Sequence, residues 1–415
     1  MTDDKTFVIV GGGLTGAKAA ATLREEGFGG RVVLVAEEDR LPYERPPLSK
    51  SYLAGESPFA DAQVHDEAFY RDNDVELLRG TVATALDPGA RTLSLSKGDA
   101  LTYDRLLIAT GAVPRRPPID GADGPGVLTL RSVGDADAIK AAVSGGGRLV
   151  IIGAGWIGCE VAASARGLGA EVTVVEQAGT PLEAVLGPKL GAFFAELHRE
   201  HGVRFHFGAR LTEIVGQDGM VLAARTDDGE EHPAHDVLAA IGAAPRTGLA
   251  EAAGLEMADR AHGGGIAVDE QLRTSDPDIY AAGDVASFPH ALFGTHLRVE
   301  HWANALNGGP AAARAMLGRD VTYDRVPYFF SDQYDLGMEY SGWAPAGSYD
   351  EVVIRGDAGK RQFISFWIKD GRVLAGMNVN VWDVTDPIQK LIRSKTQVNT
   401  EALADPHIPL ESLVS

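Results

Sequence analysis

The chain has 415 residues, 45% hydrophobic and 23% charged, with a formal charge of −20 at pH 7. That length asks for more than one domain, and that charge argues against general affinity for nucleic acid or an anionic membrane. A single cysteine, Cys159, excludes internal disulfides, a CxxC redox pair and cysteine-rich clusters, and the eleven histidines show no HExxH spacing, so no metal site is expected.

The opening "MTDDKTFVIV" lacks the basic flank and apolar stretch of a signal peptide, and no apolar run is long enough to span a bilayer. A cytoplasmic protein is expected. Phe7 to Val10 reads as a strand running into Gly11, Gly13 and Gly16 and then an alanine-rich helix. Glycines at those places permit a tight turn, close backbone approach to a pyrophosphate and close helix–strand packing, and the helix N-terminus offers free N–H groups. The next strand-like run, "RVVLVAEE", reaches Glu37, whose carboxylate suits ribose hydroxyls.

"LPYERPPLSK" (Leu41 to Lys50) follows, stiffened by Pro42, Pro46 and Pro47. Such a segment cannot simply continue a helix; it holds Arg45 and Lys50 in set directions. In "RLLIATGAVPRRPP" (Arg105 to Pro118), Ala109, Thr110 and Gly111 are small enough for backbone to approach a ligand, and the prolines mark a crossing between domains.

A second cradle follows, with Leu149 to Ile152 as strand, Gly153, Gly155 and Gly158 as turn, and "EVTVVEQ" reaching Glu176. One GxGxxG is weak evidence, but two with strand, helix and acid in place are not two ordinary glycine turns. Two dinucleotides are implied, one held and one exchanging, for which FAD plus a nicotinamide nucleotide is the economical pairing. The chain crosses back at "AAPRTG".

"HGGG" (His262 to Gly265) has no GxSxG to accompany it and reads as a glycine turn before the strand-like "IAVDE". "DIYAAGDVA" ends a strand on a turn presenting Asp284, an acceptor for hydroxyls, or else a solvated acid or helix cap. "EHWANALNGG" starts a helix near Trp302, which on pattern alone is either a ligand neighbour or plain core. Beyond residue 323 the pattern changes to strands broken by Asp357-Ala358-Gly359 and Asp370-Gly371 turns, then a short helix, "DPIQKLIRSK".

With both cradles, "PPLSK" and "SDQYDLG" present, the chain resembles the FAD-dependent pyridine-nucleotide reductases, and more narrowly the ferredoxin reductases of bacterial oxygenase and cytochrome monooxygenase systems (putidaredoxin-reductase-like, rubredoxin-reductase-like). The resemblance runs nearly end to end. It implies an α/β fold of glutathione-reductase-like architecture, with two Rossmann-like domains and a C-terminal α+β domain. The FAD domain would take residues 1–113 and 246–322, the NAD domain 114–245, and the C-terminal domain, 323–415, would close over the flavin.

The resemblance implies site residues as well. FAD would be held by Gly11, Gly13, Leu14, Thr15, Gly16 and Glu37, by Arg45 and Lys50, by Ala109, Thr110 and Gly111, and by Asp284, Glu300, His301, Trp302 and Phe330. NAD would be held by Gly153, Gly155, Trp156, Ile157 and Gly158, by Glu160 and Glu176, and by Ile241 and Gly242. Lys50 would lie near the reactive flavin nitrogen with Glu160 as its partner, the two forming the catalytic pair; without the resemblance they read as a surface lysine and a solvated helix glutamate.

Two positions depart from the family. Phe330 stands where a tryptophan is frequent, so stacking on the flavin is weaker, and Arg246 stands where asparagine is usual. The function implied is NADH-dependent reduction of a two-iron two-sulfur ferredoxin feeding an oxygenase. The alternatives are a rubredoxin reductase, an NADH-oxidase-type flavoenzyme, and a non-catalytic signalling flavoprotein resembling apoptosis-inducing factor. The protein is expected as a monomer or weak dimer, with a basic docking patch among Arg314, Arg319, Lys390, Arg393 and Lys395 unless these are solvated surface charges.

Overall fold

The computed structural model describes residues 4–414; the first three residues of the opening segment, read above for a signal, lie outside them. The strands that build the site are, in chain order, β1 (Thr6–Val10), β2 (Arg31–Val35), β3 (Val75–Leu78), β4 (Arg105–Ile108), β5 (Val127–Leu128), β6 (Arg148–Ile152), β7 (Glu171–Glu176), β8 (Arg204–Phe207), β9 (Asp236–Ala239) and β10 (Ile279–Ala281). Five more, β11 (Tyr328–Gln333), β12 (Leu336–Gly342), β13 (Glu351–Asp357), β14 (Gln362–Lys369) and β15 (Arg372–Val379), form a C-terminal sheet. The helices are α1 (Leu14–Glu25), α2 (Val133–Val143), α3 (Trp156–Gly167), α4 (Pro188–Glu200), α5 (Trp302–Met316) and α6 (Thr385–Ser394).

The chain divides into two compact units. One comprises residues up to Glu44, Ala60–Val113 and Ala244–Pro327; the other comprises Arg45–Phe59, Pro114–Ala243 and the chain from Tyr328 onward.

In the first unit a parallel sheet runs β10-β4-β1-β2-β3. With β1 central and its successors on opposite sides, the carboxyl end of β1 is the switch point where such sheets bind ligands. Helix α5 packs so closely on α1 that a Cβ on Gly309 would fall 2.2 Å from the Thr15 carbonyl oxygen. Helix α5 continues through Pro310 to Met316, with Arg314 in its last turn. The glycine run before β-structure is a turn, with Gly263, Gly264 and Gly265 all at positive φ, but the strand it precedes is only Ile266–Ala267.

The second unit repeats the arrangement, β8-β7-β6-β9-β5, again parallel. Alternate residues of β6 serve two cores, as period two requires of a sheet covered on both faces. Leu149 and Ile151 join α3, α4 and the C-terminal sheet, whereas Val150 and Ile152 face the antiparallel strands of residues 211–233. The C-terminal sheet is antiparallel in the order β11-β12-β15-β14-β13, and its Phe329, Trp367 and Met377 share one core with Phe194 of α4. Its tail is tied down by buried Arg355, whose guanidinium donates to the carbonyls of Leu403, Asp405, Pro406 and Ile408.

The proline segment is a 3-10 turn, Pro46–Ser49, with proline in its first positions, where a missing N–H costs nothing, followed by one turn of helix, Ser51–Ala54. It belongs by its contacts to the second unit. Tyr52 donates to Asp137 of α2 at 2.6 Å, and Ser164 of α3 donates to the Ser49 carbonyl at 2.7 Å.

Candidate functional site

In the first unit β1 turns at Gly11, whose φ of 128° is a glycine conformation and whose Cβ would lie 2.1 Å from the Ala109 carbonyl oxygen. A Cβ on Gly16 would lie 2.0 Å from the Gly11 carbonyl oxygen. Gly13 is different: its backbone is extended, and nothing lies within 4 Å of its missing Cβ. Internal packing explains two of the three glycines and leaves the middle one facing open space, at a helix start that no side chain caps. An open glycine at an uncapped helix N-terminus leaves N–H groups available to an anion such as a phosphate.

Around this cradle the first unit gathers several of the expected residues. Leu14 and Thr15 are buried in the first turn, and Gly283 sits against Thr15, where a Cβ would meet the Thr15 hydroxyl at 2.5 Å. The next residue, Asp284, is 9% exposed. Thr110 donates to the Arg246 carbonyl at 2.8 Å, and the Arg246 N–H donates to the Gly111 carbonyl at 2.9 Å. The Arg246 guanidinium, where the family pattern has asparagine, pairs with Glu37, the acid expected at a ribose.

Ahead of α5, Glu300 is drawn to Arg298 at 2.5 Å, while Arg298 also donates to the carbonyls of Gly263 and Asp284. Burial holds the His301 imidazole down near 4, with Asp284 opposing, so it is neutral at pH 7. The indole N–H of Trp302 donates to Glu44 at 2.9 Å. Arg298 and Glu44 were not singled out in the sequence; the Trp302 partner of Glu44 is 258 residues away, and the carbonyls that Arg298 meets belong to turns brought to it by folding.

The second unit reproduces the cradle. Gly153 has φ 98° and a Cβ position 2.6 Å from the Ala240 carbonyl oxygen, Gly158 presses on Gly153 at 2.1 Å, and Gly155 again has nothing within 4 Å at an uncapped helix start. Glu176 ends β7, and its two oxygens accept the N–H groups of Ala154 at 2.7 Å and Ala178 at 2.8 Å. Ile241 and Gly242 continue from Ala240, and the Gly242 carbonyl accepts from the Arg115 N–H at 2.9 Å. Trp156 turns away into the core, edge-on to Phe194 and Phe329, whereas Ile157 is 42% exposed.

One turn into α3 lies Glu160, 4% exposed. Lys50 Nζ is 2.7 Å from its carboxylate, Ser49 donates to the same oxygen at 2.5 Å, and Ser331 donates to the other at 2.7 Å. A buried ion pair is tolerable only where further hydrogen bonds satisfy the charges, and here three donors converge on one carboxylate. Lys50 Nζ also lies 5.6 Å from the centre of the Phe330 ring. Burial pushes the neighbouring Asp332 carboxyl up, with Lys50 pulling the other way. Arg45 is engaged by the Arg131 carbonyl. Ser49 and Ser331 were missed in the sequence although they stand inside "PPLSK" and "SDQ", the two segments that carried the resemblance.

The only thiol is inert, since burial raises the pKa of Cys159 far above its usual range. No group of three or more potential metal ligands occurs among the described residues. No helix among them is long and apolar enough to cross a membrane.

The arrangement matches known proteins along its whole length. Residues 5–309 match the pyridine nucleotide-disulphide oxidoreductase family, and residues 328–414 match the reductase C-terminal family. A probable ferredoxin reductase, CtmF, of Castellaniella defragrans is 36% identical, covering 100% of both chains. Putidaredoxin reductase CamA of Pseudomonas putida is also 36% identical, covering 100% of this chain and 98% of its own. Among solved structures, the ferredoxin reductase for the CYP199A2 system from Rhodopseudomonas palustris superposes with a TM-score of 0.93 at 35% identity, covering 99% of this chain and all of that one. The covalent putidaredoxin reductase–putidaredoxin complex gives 0.92 at 35% identity, covering 99% of this chain and 98% of that one. The α/β fold expected from the two cradles is borne out, and this chain, an oxidoreductase without the redox cysteine pair, belongs to the pyridine nucleotide-disulphide oxidoreductase family.

Proposed function

We propose that the protein is an NADH-dependent ferredoxin reductase that serves an oxygenase. The observation that carries this reading is the presence of two complete dinucleotide cradles in one chain, each with a middle glycine that packing does not require. FAD and NAD(H) are the cofactors. Gly13 and the α1 N-terminus hold the FAD pyrophosphate, with Asp284 and Glu37 as hydroxyl acceptors. Gly155 and the α3 N-terminus hold that of NADH, with Glu176 at the ribose. FAD, when bound, takes the two electrons of a hydride and passes them on singly, which suits a two-iron two-sulfur partner.

The division of labour follows from position. Lys50 and Glu160 form the catalytic pair at the flavin, and Phe330 lines the same place. Because α3 carries the NAD cradle at its start and Glu160 one turn later, one rigid helix relates nucleotide binding to the ion pair. The domain boundaries at 113/114, 245/246 and 322/323 complete the reading, together with a cytoplasmic location and a monomer or weak dimer.

Purified holoprotein tests this directly. NADH should reduce the flavin, and cytochrome c reduction should be fast only after a two-iron two-sulfur ferredoxin is added; equal rates without ferredoxin would favour an oxidase-type flavoenzyme. NADH should be preferred over NADPH. A 2′-phosphate beside Glu176 sets like charges together, about 4 kcal/mol at 4 Å with an effective dielectric of about 20. Gln177, Ala178, Gly179 and Thr180 supply no cation to receive it. A higher kcat/KM for NADPH would refute that assignment.

A further inference from the structure

Glu160 is the end of a line of buried hydrogen bonds through the core of the second unit. Tyr334 OH lies 3.1 Å from His198 Nδ1, and His198 Nε2 lies 2.8 Å from Gln333 Oε1. Gln333 Nε2 lies 3.1 Å from Ser331 Oγ, and Ser331 Oγ lies 2.7 Å from Glu160 Oε1. His198 and Ser331 are fully buried and Gln333 is 1% exposed. Ser331 and Gln333 share a face of β11 at the strand's two-residue period, and α4 brings His198 to them.

The hydrogens can be placed by exclusion. An ion-paired carboxylate only accepts, so the single Ser331 hydrogen points at Glu160. Ser331 Oγ then accepts from the Gln333 amide NH2, which turns the amide oxygen toward His198. His198 must therefore carry its hydrogen on Nε2. Burial lowers the imidazole to about 4, so at pH 7 Nδ1 is bare and accepts from Tyr334. Turning the Gln333 amide over would take the Ser331 hydrogen and leave two oxygens facing each other beside Glu160. Every donor in the line thus points the same way, toward the carboxylate.

We propose that His198 and Gln333 are positioning residues: they fix the Ser331 hydroxyl as a donor to Glu160 and, through Glu160, hold the Lys50 ammonium in its place. The inference rests on the reading that Lys50 and Glu160 serve hydride transfer from NADH. Neither residue touches a cofactor; they act by removing the alternative in which Ser331 turns toward Gln333. In a buried core that alternative strands a carboxylate oxygen, so Glu160 would shift and Lys50 with it.

The test uses FAD-loaded protein. In 15N-histidine-labelled wild type, His198 should appear as the neutral Nε2–H tautomer near pH 7; an Nδ1–H tautomer breaks the direction of the line and overturns the proposal. By stopped flow, His198→Leu and Gln333→Leu should each slow the limiting rate of flavin reduction about tenfold, the worth of one hydrogen bond, with the NADH dissociation constant unchanged. His198→Gln keeps an N–H toward Gln333 and should restore the rate to within about twofold. Losses of thermal stability with wild-type rates in the folded fraction would mean a purely structural role and would sink the inference. If the leucine variants do not fold, the wild-type tautomer and the His198→Gln rate still decide it. Failure of NADH to reduce wild-type flavin would instead overturn the functional reading, and this inference with it.

Discussion

At the scale of single residues, the proposed role of the Lys50–Glu160 pair can be tested apart from cofactor binding. Lys50→Met leaves both phosphate cradles untouched, so FAD should remain bound while reduction by NADH slows. The substitution also strands Glu160 with only two hydroxyl donors, and breaking one side of a buried pair costs about 3 kcal/mol or more. Stopped-flow reduction at the wild-type rate would remove Lys50 from the flavin. A second prediction concerns pH. Burial holds His198 and His301 near 4, below the ordinary 6.5, so the unfolded chain binds more protons than the folded one between those values. Their contribution is complete above pH 6.5 and is lost as pH falls toward 4. Urea midpoints should fall over that window, and His198→Gln should flatten part of the decline; an unchanged slope would count against a neutral His198.

At the scale of elements, the glycines divide into those demanded by packing and those left for a ligand. Gly13→Ala and Gly155→Ala meet nothing within 4 Å on extended backbone, so each variant should unfold near the wild-type temperature when stripped of cofactor. Gly13→Ala should nonetheless lose FAD during purification, and Gly155→Ala should keep FAD but raise the NADH KM about tenfold, or about 1.4 kcal/mol. Gly309→Ala is the converse. Its methyl would sit 2.2 Å from the Thr15 carbonyl, forcing α1 and α5 apart at a cost of about 1–3 kcal/mol. Calorimetry of cofactor-free protein distinguishes the two classes, and equal destabilisation of all three variants would contradict it.

At the scale of the whole molecule, a net charge of −20 must be overcome locally if an acidic iron–sulfur partner is to dock. Of the five candidate cations, Arg314 and Arg319 both pair with Glu26. Lys390, Arg393 and Lys395 lie exposed on and just after α6, whose Ile388, Leu391 and Ile392 are buried, and Trp382, 54% exposed, precedes that helix by three residues. Reversing Lys390 and Arg393 to glutamate should raise the ferredoxin KM about tenfold and steepen its ionic-strength dependence, leaving ferricyanide reduction by NADH near normal. A parallel fall in both activities would place the fault in folding or flavin reduction.

The sequence by itself determined the two cradles, because strand, glycine turn, helix and terminal acid are contiguous and each carries its own local signal. It also marked Lys50, Asp284 and Glu160, through segments whose resemblance is specific. What it could not supply were the partners made by folding. The Arg246–Glu37 pair spans 209 residues and the Ser331–Glu160 bond 171, and no local pattern encodes such meetings. Nor could it tell which glycine of each cradle faces open space, how far α5 continues past Pro310, or that the C-terminal sheet shares a core with α4. Those were decided by packing: burial forces each polar group to find a donor or acceptor wherever the chain brings one, and only the tertiary structure says where that is.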